Sequence, residues 1–252
     1  MRLLKYLVII VWRIWFYCWV IGTIIIAFPI LLLVTSKEEW YPYFYKIARF
    51  WGKTILFVMG FRSQVKSCQK LDLKKSYMFC ANHTSMIDIM LMLSVVKNPL
   101  VFVGKAELSK IPLFGFFYKR TCILVDRSSI SSRKRVFAEA ERRLRNGYSV
   151  CIFPEGGVPD DENIILDQFK NGAFALAIEH KIPVVPMSFY DCKKKFSYTF
   201  LSGGPGLLRV KIHEFVETSR FSLLHRKILR DGVFNTIYND LFTDNKLLKK
   251  MP

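Results

Sequence analysis

The sequence has no CxxC pair and only four histidines, at 83, 180, 213 and 225, none spaced with the cysteines as a metal-binding set requires. A metal site is therefore not expected. Zinc-finger spacing, an RNP-like aromatic run and a basic region leading into heptads are also missing, so nucleic acid is not an expected partner. There is no GxSxG nucleophile elbow, which argues against a serine hydrolase of that type. No internal repeat or low-complexity linker divides the chain. Acidic residues are scarce, 20 against 38 Lys and Arg, leaving a formal charge of +18. A surface this basic favours polyanions such as anionic lipid or phosphorylated substrates.

Apolar residues, by contrast, are plentiful and unevenly placed. They form 52% of the 252 residues. Residues 14–35 carry no formal charge and, at about 1.5 Å per residue, reach far enough to cross a hydrocarbon core. Arg2, Lys5 and Arg13 precede this run, and Pro29 is expected to kink it. It is too long for a cleaved leader, and no small-x-small site follows. Residues 40–62 mix Trp40, Tyr41, Tyr43, Phe44, Tyr45, Phe50 and Trp51 with Lys46, Arg49 and Lys53. That mixture suits a lipid headgroup region, the alternative being a core helix packed on the domain. The expected organisation is membrane-anchoring helices over 1–62, spanning or re-entrant, and an α/β domain over 63–252. Anionic membrane lipids are the expected partner of the basic surface.

Six cysteines, at 18, 68, 80, 122, 151 and 192, include three inside apolar runs, where a free thiol behaves as a small core residue. They read as reduced, which places the domain on the cytoplasmic side. From residue 77 onward, apolar runs at 77–80, 100–103, 122–125, 150–153 and 184–187 read as buried strands. Helix-period segments near 85–96, 112–118, 131–146 and 169–180 lie between them. The alternation predicts a largely parallel or mixed central sheet flanked by helices. A late strand is expected over 209–216 and a closing helix over 223–250.

Ligand sites in such sheets gather at the carboxyl ends of strands. One predicted strand ends at Ala81 and is followed by Asn82-His83-Thr84-Ser85-Met86-Ile87-Asp88. Five positions on a continuous helix would turn His83 and Asp88 apart. They meet only if His83 lies before the helix, capped by Thr84 or Ser85, and Asp88 projects back from its first turn. A carboxylate on one imidazole nitrogen then fixes the tautomer and leaves the other free to take a proton. His83 and Asp88 are the candidate catalytic pair.

Asn82-His83-xxxx-Asp88 resembles the first motif of the glycerolipid acyltransferases, especially the PlsC-like 1-acylglycerol-3-phosphate acyltransferases. Further blocks follow in order over about residues 78–188. Lys105-Ala106-Glu107-Leu108 with Pro112 and Gly115 resembles the second, followed by Val125-Asp126-Arg127. Phe153-Pro154-Glu155-Gly156 resembles the third. Phe169-Lys170-Asn171-Gly172-Ala173 and Ile182-Pro183-Val184-Val185-Pro186 resemble the approach to the fourth. The resemblance implies acyl transfer from acyl-CoA or acyl carrier protein, as donor substrate, to the sn-2 hydroxyl of lysophosphatidic acid. No cofactor is expected. His83 would be the general base, Asp88 its orienting partner, and Glu155 would help to hold the acceptor's glycerol. The candidate substrate contacts are Asn82, Lys105, Glu107, Arg127, Glu155, Gly156, Gly157 and Lys170.

One departure from the family pattern concerns the acceptor. The family continues Glu-Gly-Thr-Arg-Ser, whereas Gly157-Val158-Pro159 follows Gly156 here, with Val158 in place of the phosphate-binding Arg. Arg127 is then the preferred phosphate contact, because guanidinium binds phosphate oxygens two at a time. Paired backbone N–H groups at Gly156-Gly157 are another. The lysophospholipid acceptor stands beside two alternatives: a lyso-aminolipid acceptor, and a non-catalytic membrane lipid-binding protein. The basic helical segment 133–145 offers a surface to acyl carrier protein or to the phosphates of CoA.

Overall fold

The computed structural model describes residues 2–126, 130–159, 161 and 163–248. Helix α1 (Arg2–Val34) and a short turn, Glu38–Trp40, lead into α2 (Tyr41–Val58) and β1 (Phe61–Ser67). The order continues β2 (Met78–Ala81), α3 (Ile87–Val95), β3 (Leu100–Lys105), a 3-10 turn at Ala106–Lys110, α4 (Phe114–Thr121) and β4 (Ile123–Val125). Then come α5 (Ile130–Arg145), β5 (Ser149–Ile152), α6 (Gly172–Glu179), β6 (Val184–Phe189), α7 (Cys192–Lys195), β7 (Gly206–Ile212) and α8 (Arg226–Leu248). The seven strands form one sheet in the order β1-β7-β6-β2-β5-β3-β4. All neighbours are parallel except β6 and β7. Central strands β2 and β6 are buried at every position, as a sheet covered on both faces requires.

The five expected strands and four intervening helices are present, with ends displaced by a few residues. Three elements differ more. Strand β1 has no apolar alternation. Only Phe61 is buried, and its remaining six residues are exposed because it is an edge strand paired with β7 alone. The late strand falls at Gly206–Ile212 rather than 209–216. The ladder with β1 fixes its register, and Val216 makes only a single bridge to Val184. The closing helix begins at Arg226, after a 3-10 turn at Leu223–His225.

The N-terminal segments fold back on the domain. Helix α1 starts at Arg2 and continues through Pro29, so it is longer than the apolar run. It is docked along its length. Trp12 Nε1 donates to the Met59 carbonyl, Thr23 Oγ1 accepts from Trp51 Nε1, and Phe28 meets Phe117 edge-on. Leu31 and Val34 bury against the same Phe117. Helix α2 lies between α1 and α3. Its Tyr41 and Tyr45 are buried, and their hydroxyls donate to the carbonyls of Leu100 and Val96. Packing on the domain thus accounts for the inner face of residues 41–58, while Tyr43, Phe50 and Phe57 stay exposed on the outer one. The outer face of α1 is apolar and open from Leu3 to Leu33.

Candidate active site

Strands β2, β5 and β3 are parallel neighbours, so their carboxyl ends open onto one edge of the sheet. Asn82, Phe153 and Lys105 stand at those ends. The Asn82 side chain extends the ladder: Nδ2 donates to the Phe189 carbonyl at 3.0 Å and Oδ1 accepts the Phe189 N–H at 2.8 Å. Both ends of the amide are engaged within the protein. Asn82, expected among the substrate contacts, is buried and fixes where the chain leaves β2.

His83 lies in the turn before α3, and Asp88 is in the first turn of that helix. Asp88 Oδ2 accepts from His83 Nδ1 at 2.9 Å and from the backbone N–H groups of Thr84 and Ser85 at 2.7 and 2.8 Å. Three donors on one oxygen lock the turn and set the imidazole with Nδ1–H toward the carboxylate. Of the expected caps Thr84 and Ser85, Ser85 is observed, its Oγ accepting the Ile87 N–H at 3.3 Å. The helix carboxylate reaches back to their N–H groups, while Ser85 Oγ donates to the Phe196 carbonyl. Asp88 is fully buried, whereas the His83 side chain is 19% exposed. Phe153 stacks on the imidazole, with centroids 4.3 Å apart and planes 20° from parallel. Among the described residues Nε2 has no hydrogen-bond partner, which leaves a basic nitrogen facing the carboxyl edge.

Glu155 joins two pieces of chain to this turn. Its Oε1 accepts the His83 N–H at 2.6 Å and its Oε2 accepts the Asp167 N–H at 2.9 Å. Burial pushes the carboxyl up to about 7, against the lowering effect of those N–H groups and the nearby imidazole. The folded protein then holds this proton more tightly than the unfolded chain. The associated stability is complete below the ordinary glutamate value and is lost as pH rises toward 7, up to about 3 kcal/mol. Urea denaturation between pH 5 and 8 is expected to show stability falling with pH, and Glu155→Gln to flatten that fall. An equal slope in the variant would assign the dependence elsewhere.

The remaining candidates are placed as follows. Lys105 reaches across from β3, and a methyl group on Gly157 would lie 4.0 Å from its Nζ. Gly156 adopts φ +85, a conformation that disfavours a side chain, and its N–H donates to Phe153. Lys105 and Gly156-Gly157 therefore share the edge with His83. Lys170 is exposed, and its backbone N–H holds the Pro154 carbonyl. Glu107 is exposed on the 106–110 turn and takes no part in the His83 hydrogen bonds. Gly115 serves packing, since a Cβ there would sit 2.2 Å from the Ser109 carbonyl oxygen. Arg127 lies outside the described residues.

Two other groups are excluded from nucleophilic chemistry by geometry. Cys80 and Cys192 are fully buried, and desolvation pushes both thiols up, Cys192 further through the charge of Asp88. Ser188, His213 and Asp240 suggest a triad, but Ser188 Oγ at 2.8 Å and Asp240 Oδ2 at 3.5 Å approach the same Nε2. A relay needs both ring nitrogens, and Ser188 is fully buried. The contacts that sequence reasoning missed are the Phe153 stack, the Glu155 clamp and the Ser85–Phe196 bond. All three join residues distant in the chain.

A family model described as Acyltransferase matches residues 62–190. The chain is 30% identical over 175 residues to the human 1-acyl-sn-glycerol-3-phosphate acyltransferase beta, covering 66% of this chain and 60% of that protein. It is 26% identical over 238 residues to the human alpha form, covering 90% of this chain and 80% of the other. The crystal structure of the 1-acyl-sn-glycerophosphate acyltransferase PlsC from Thermotoga maritima superposes with a TM-score of 0.78 at 24% identity. The match covers 100% of this chain and 99% of that one. This likeness shows a shared fold, including the N-terminal helices.

Proposed function

Because the chain belongs to the acyltransferase family, we propose that it transfers an acyl chain from a thioester, acyl-CoA or acyl carrier protein, to the sn-2 hydroxyl of lysophosphatidic acid at the cytoplasmic face of a membrane. The product is phosphatidic acid. The observation that carries the reading is the His83–Asp88 pair, with Nδ1 held and Nε2 open beside Lys105 and Gly157. The names of the relatives support the acceptor.

An alcohol is a weak nucleophile at neutral pH. His83 Nε2 removes its proton as the oxygen attacks the thioester carbonyl. The C–S bond then breaks, and the imidazolium returns the proton to the departing thiolate. Asp88 holds Nδ1 and offsets the transient positive charge. No enzyme-bound acyl group is needed, and the burial of Cys80 and Cys192 leaves neither available to form one.

For the acceptor's phosphate the described residues offer Lys105, with Gly157 beside it; the Gly156 N–H of the expected pair is taken by the Phe153 carbonyl. Val158 carries no charge where the family pattern has Arg, which favours a second reading with a lyso-aminolipid acceptor. Acyl-transfer assays with defined thioesters separate the two. Lysophosphatidic acid is expected to be acylated and a lyso-aminolipid to be poor. Lys105→Ala is expected to raise KM for lysophosphatidic acid about 10-fold, the size of one lost charge-assisted contact, with little change in kcat. The reverse acceptor preference, with KM untouched, would establish the second reading.

The protein is membrane-associated through α1, whose predominantly apolar stretch Leu3–Val34, interrupted by Lys5 and Arg13, has its outer face uncovered. The inner face is engaged with the domain at Trp12, Arg13, Thr23 and Phe28. That arrangement supports a helix lying half-embedded in one leaflet, with the active-site edge close to lipid-borne substrate.

A further inference from the structure

Arg13 is anomalous for an anchor. It sits in an otherwise apolar stretch, where a charge opposes insertion and a leucine would anchor better. It is also only 2% exposed, so it does not snorkel to a headgroup. Its Nη2 donates to three backbone carbonyls of one loop: Ser197 at 2.8 Å, Thr199 at 2.9 Å and Ser202 at 2.8 Å. The guanidinium lies over the rings of Phe196 and Phe200, 4.6 and 5.3 Å from their centroids. A buried cation needs such partners, and convergent carbonyl dipoles with two aromatic faces supply them.

The same loop touches the catalytic turn. The Phe196 carbonyl accepts the Ser85 hydroxyl, and Ser85 N–H is one of the three donors that hold Asp88 Oδ2. The Phe196 ring packs on Phe16 and Trp12 of α1, at 4.5 and 5.4 Å between centroids. The Ser197 and Ser202 hydroxyls, 2.7 Å apart, pinch the loop closed. One unbroken path thus runs from Arg13 through residues 196–202 to Ser85, Asp88 and His83.

We propose that Arg13 is a positioning residue, which couples the membrane-lying helix α1 to the His83–Asp88 turn by holding the 196–202 loop against Ser85. The inference rests on the proposed role of His83 and Asp88. The helix that meets the lipid is then also part of the scaffold of the base, and its seating bears on turnover as well as on attachment. Displacement of a base by about 1 Å is enough to cost on the order of 100-fold in rate.

The test uses the full chain with vesicles of anionic phospholipid, in a cycle of wild type, Arg13→Met, Ser85→Ala and the double variant, with Arg13→Lys and His83→Ala alongside. Arg13→Met is expected to lower kcat by about 10- to 100-fold, to leave both KM values within about twofold and to float with the vesicles as wild type does. Ser85→Ala should act in the same way. The double variant should be no worse than the poorer single one, because both cut one path. Arg13→Lys should recover part of kcat, since an ammonium brings three donors to the three carbonyls. Additive losses, an unchanged kcat, or a loss that follows flotation would overturn the proposal and leave Arg13 an anchor residue. If Arg13→Met fails to fold, the cycle of Arg13→Lys with Ser85→Ala decides by the same additivity criterion. Full transfer by His83→Ala would instead overturn the assignment of the base, an outcome separate from the Arg13–Ser85 coupling.

Discussion

His83→Ala is expected to retain fold and vesicle binding and to lose acyl transfer by about 10³-fold, within the range assigned to a positioned general base. The magnitude follows from what surrounds the imidazole. Nδ1 is committed to Asp88 at 2.9 Å, Phe153 covers one ring face, and Nε2 alone is open. Among the described residues in contact with the His83 turn, Glu155 also offers a proton site, with its carboxyl raised to about 7. Titration alone would make it a rival. Geometry decides between them: Glu155 is 3% exposed, and each of its oxygens already accepts a backbone N–H. An acceptor hydroxyl would have to enter the buried clamp between the His83 and Asp167 N–H groups to reach it. Turnover measured for His83→Ala and Glu155→Gln under saturating donor and acceptor checks the choice. A live His83→Ala beside a dead Glu155→Gln would transfer the role to Glu155.

What could be read in the sequence, and what could not, divides by the range of the contacts. The His83–Asp88 pair spans five residues and follows a strand end, so local pattern was sufficient to place it before α3. Strands β2 and β6 were legible because full burial on both faces makes them continuous apolar runs. Strand β1 was not, since six of its seven residues are exposed and only the ladder with β7 makes it a strand. Lys105 could be nominated from its block, but its approach to Gly157 depends on β3 and β5 being sheet neighbours. Arg13 read as a charged flank of the apolar run, because its carbonyl partners lie 184 to 189 residues away. The aromatic and basic residues of α2 favoured the lipid reading over packing on the domain. The tertiary fold turned Tyr41 and Tyr45 inward and left Tyr43, Phe50 and Phe57 outside.

Substitution of Asp88 should separate two functions that one carboxylate oxygen combines. That oxygen accepts from the His83 ring and from the backbone of Thr84 and Ser85, and the side chain is fully buried. Asp88→Ala would leave two buried N–H groups without acceptors, at about 1–3 kcal/mol each. It should therefore lower the melting temperature and activity together. Asp88→Asn keeps the shape and one acceptor oxygen, so the turn and most of the stability should persist. It removes the negative charge, however: with the amide oxygen in the Oδ2 place it still accepts the Nδ1–H but no longer offsets the imidazolium formed in the reaction. Loss of kcat by about 10²–10⁴-fold is expected for Asn with only a small change in melting temperature, a separation that packing alone does not produce. Full turnover by Asp88→Asn would reduce Asp88 to a clamp on the turn and leave His83 to act without an ionic partner. If kcat falls while the fold stands, the charge rather than the shape of Asp88 is what the reaction uses.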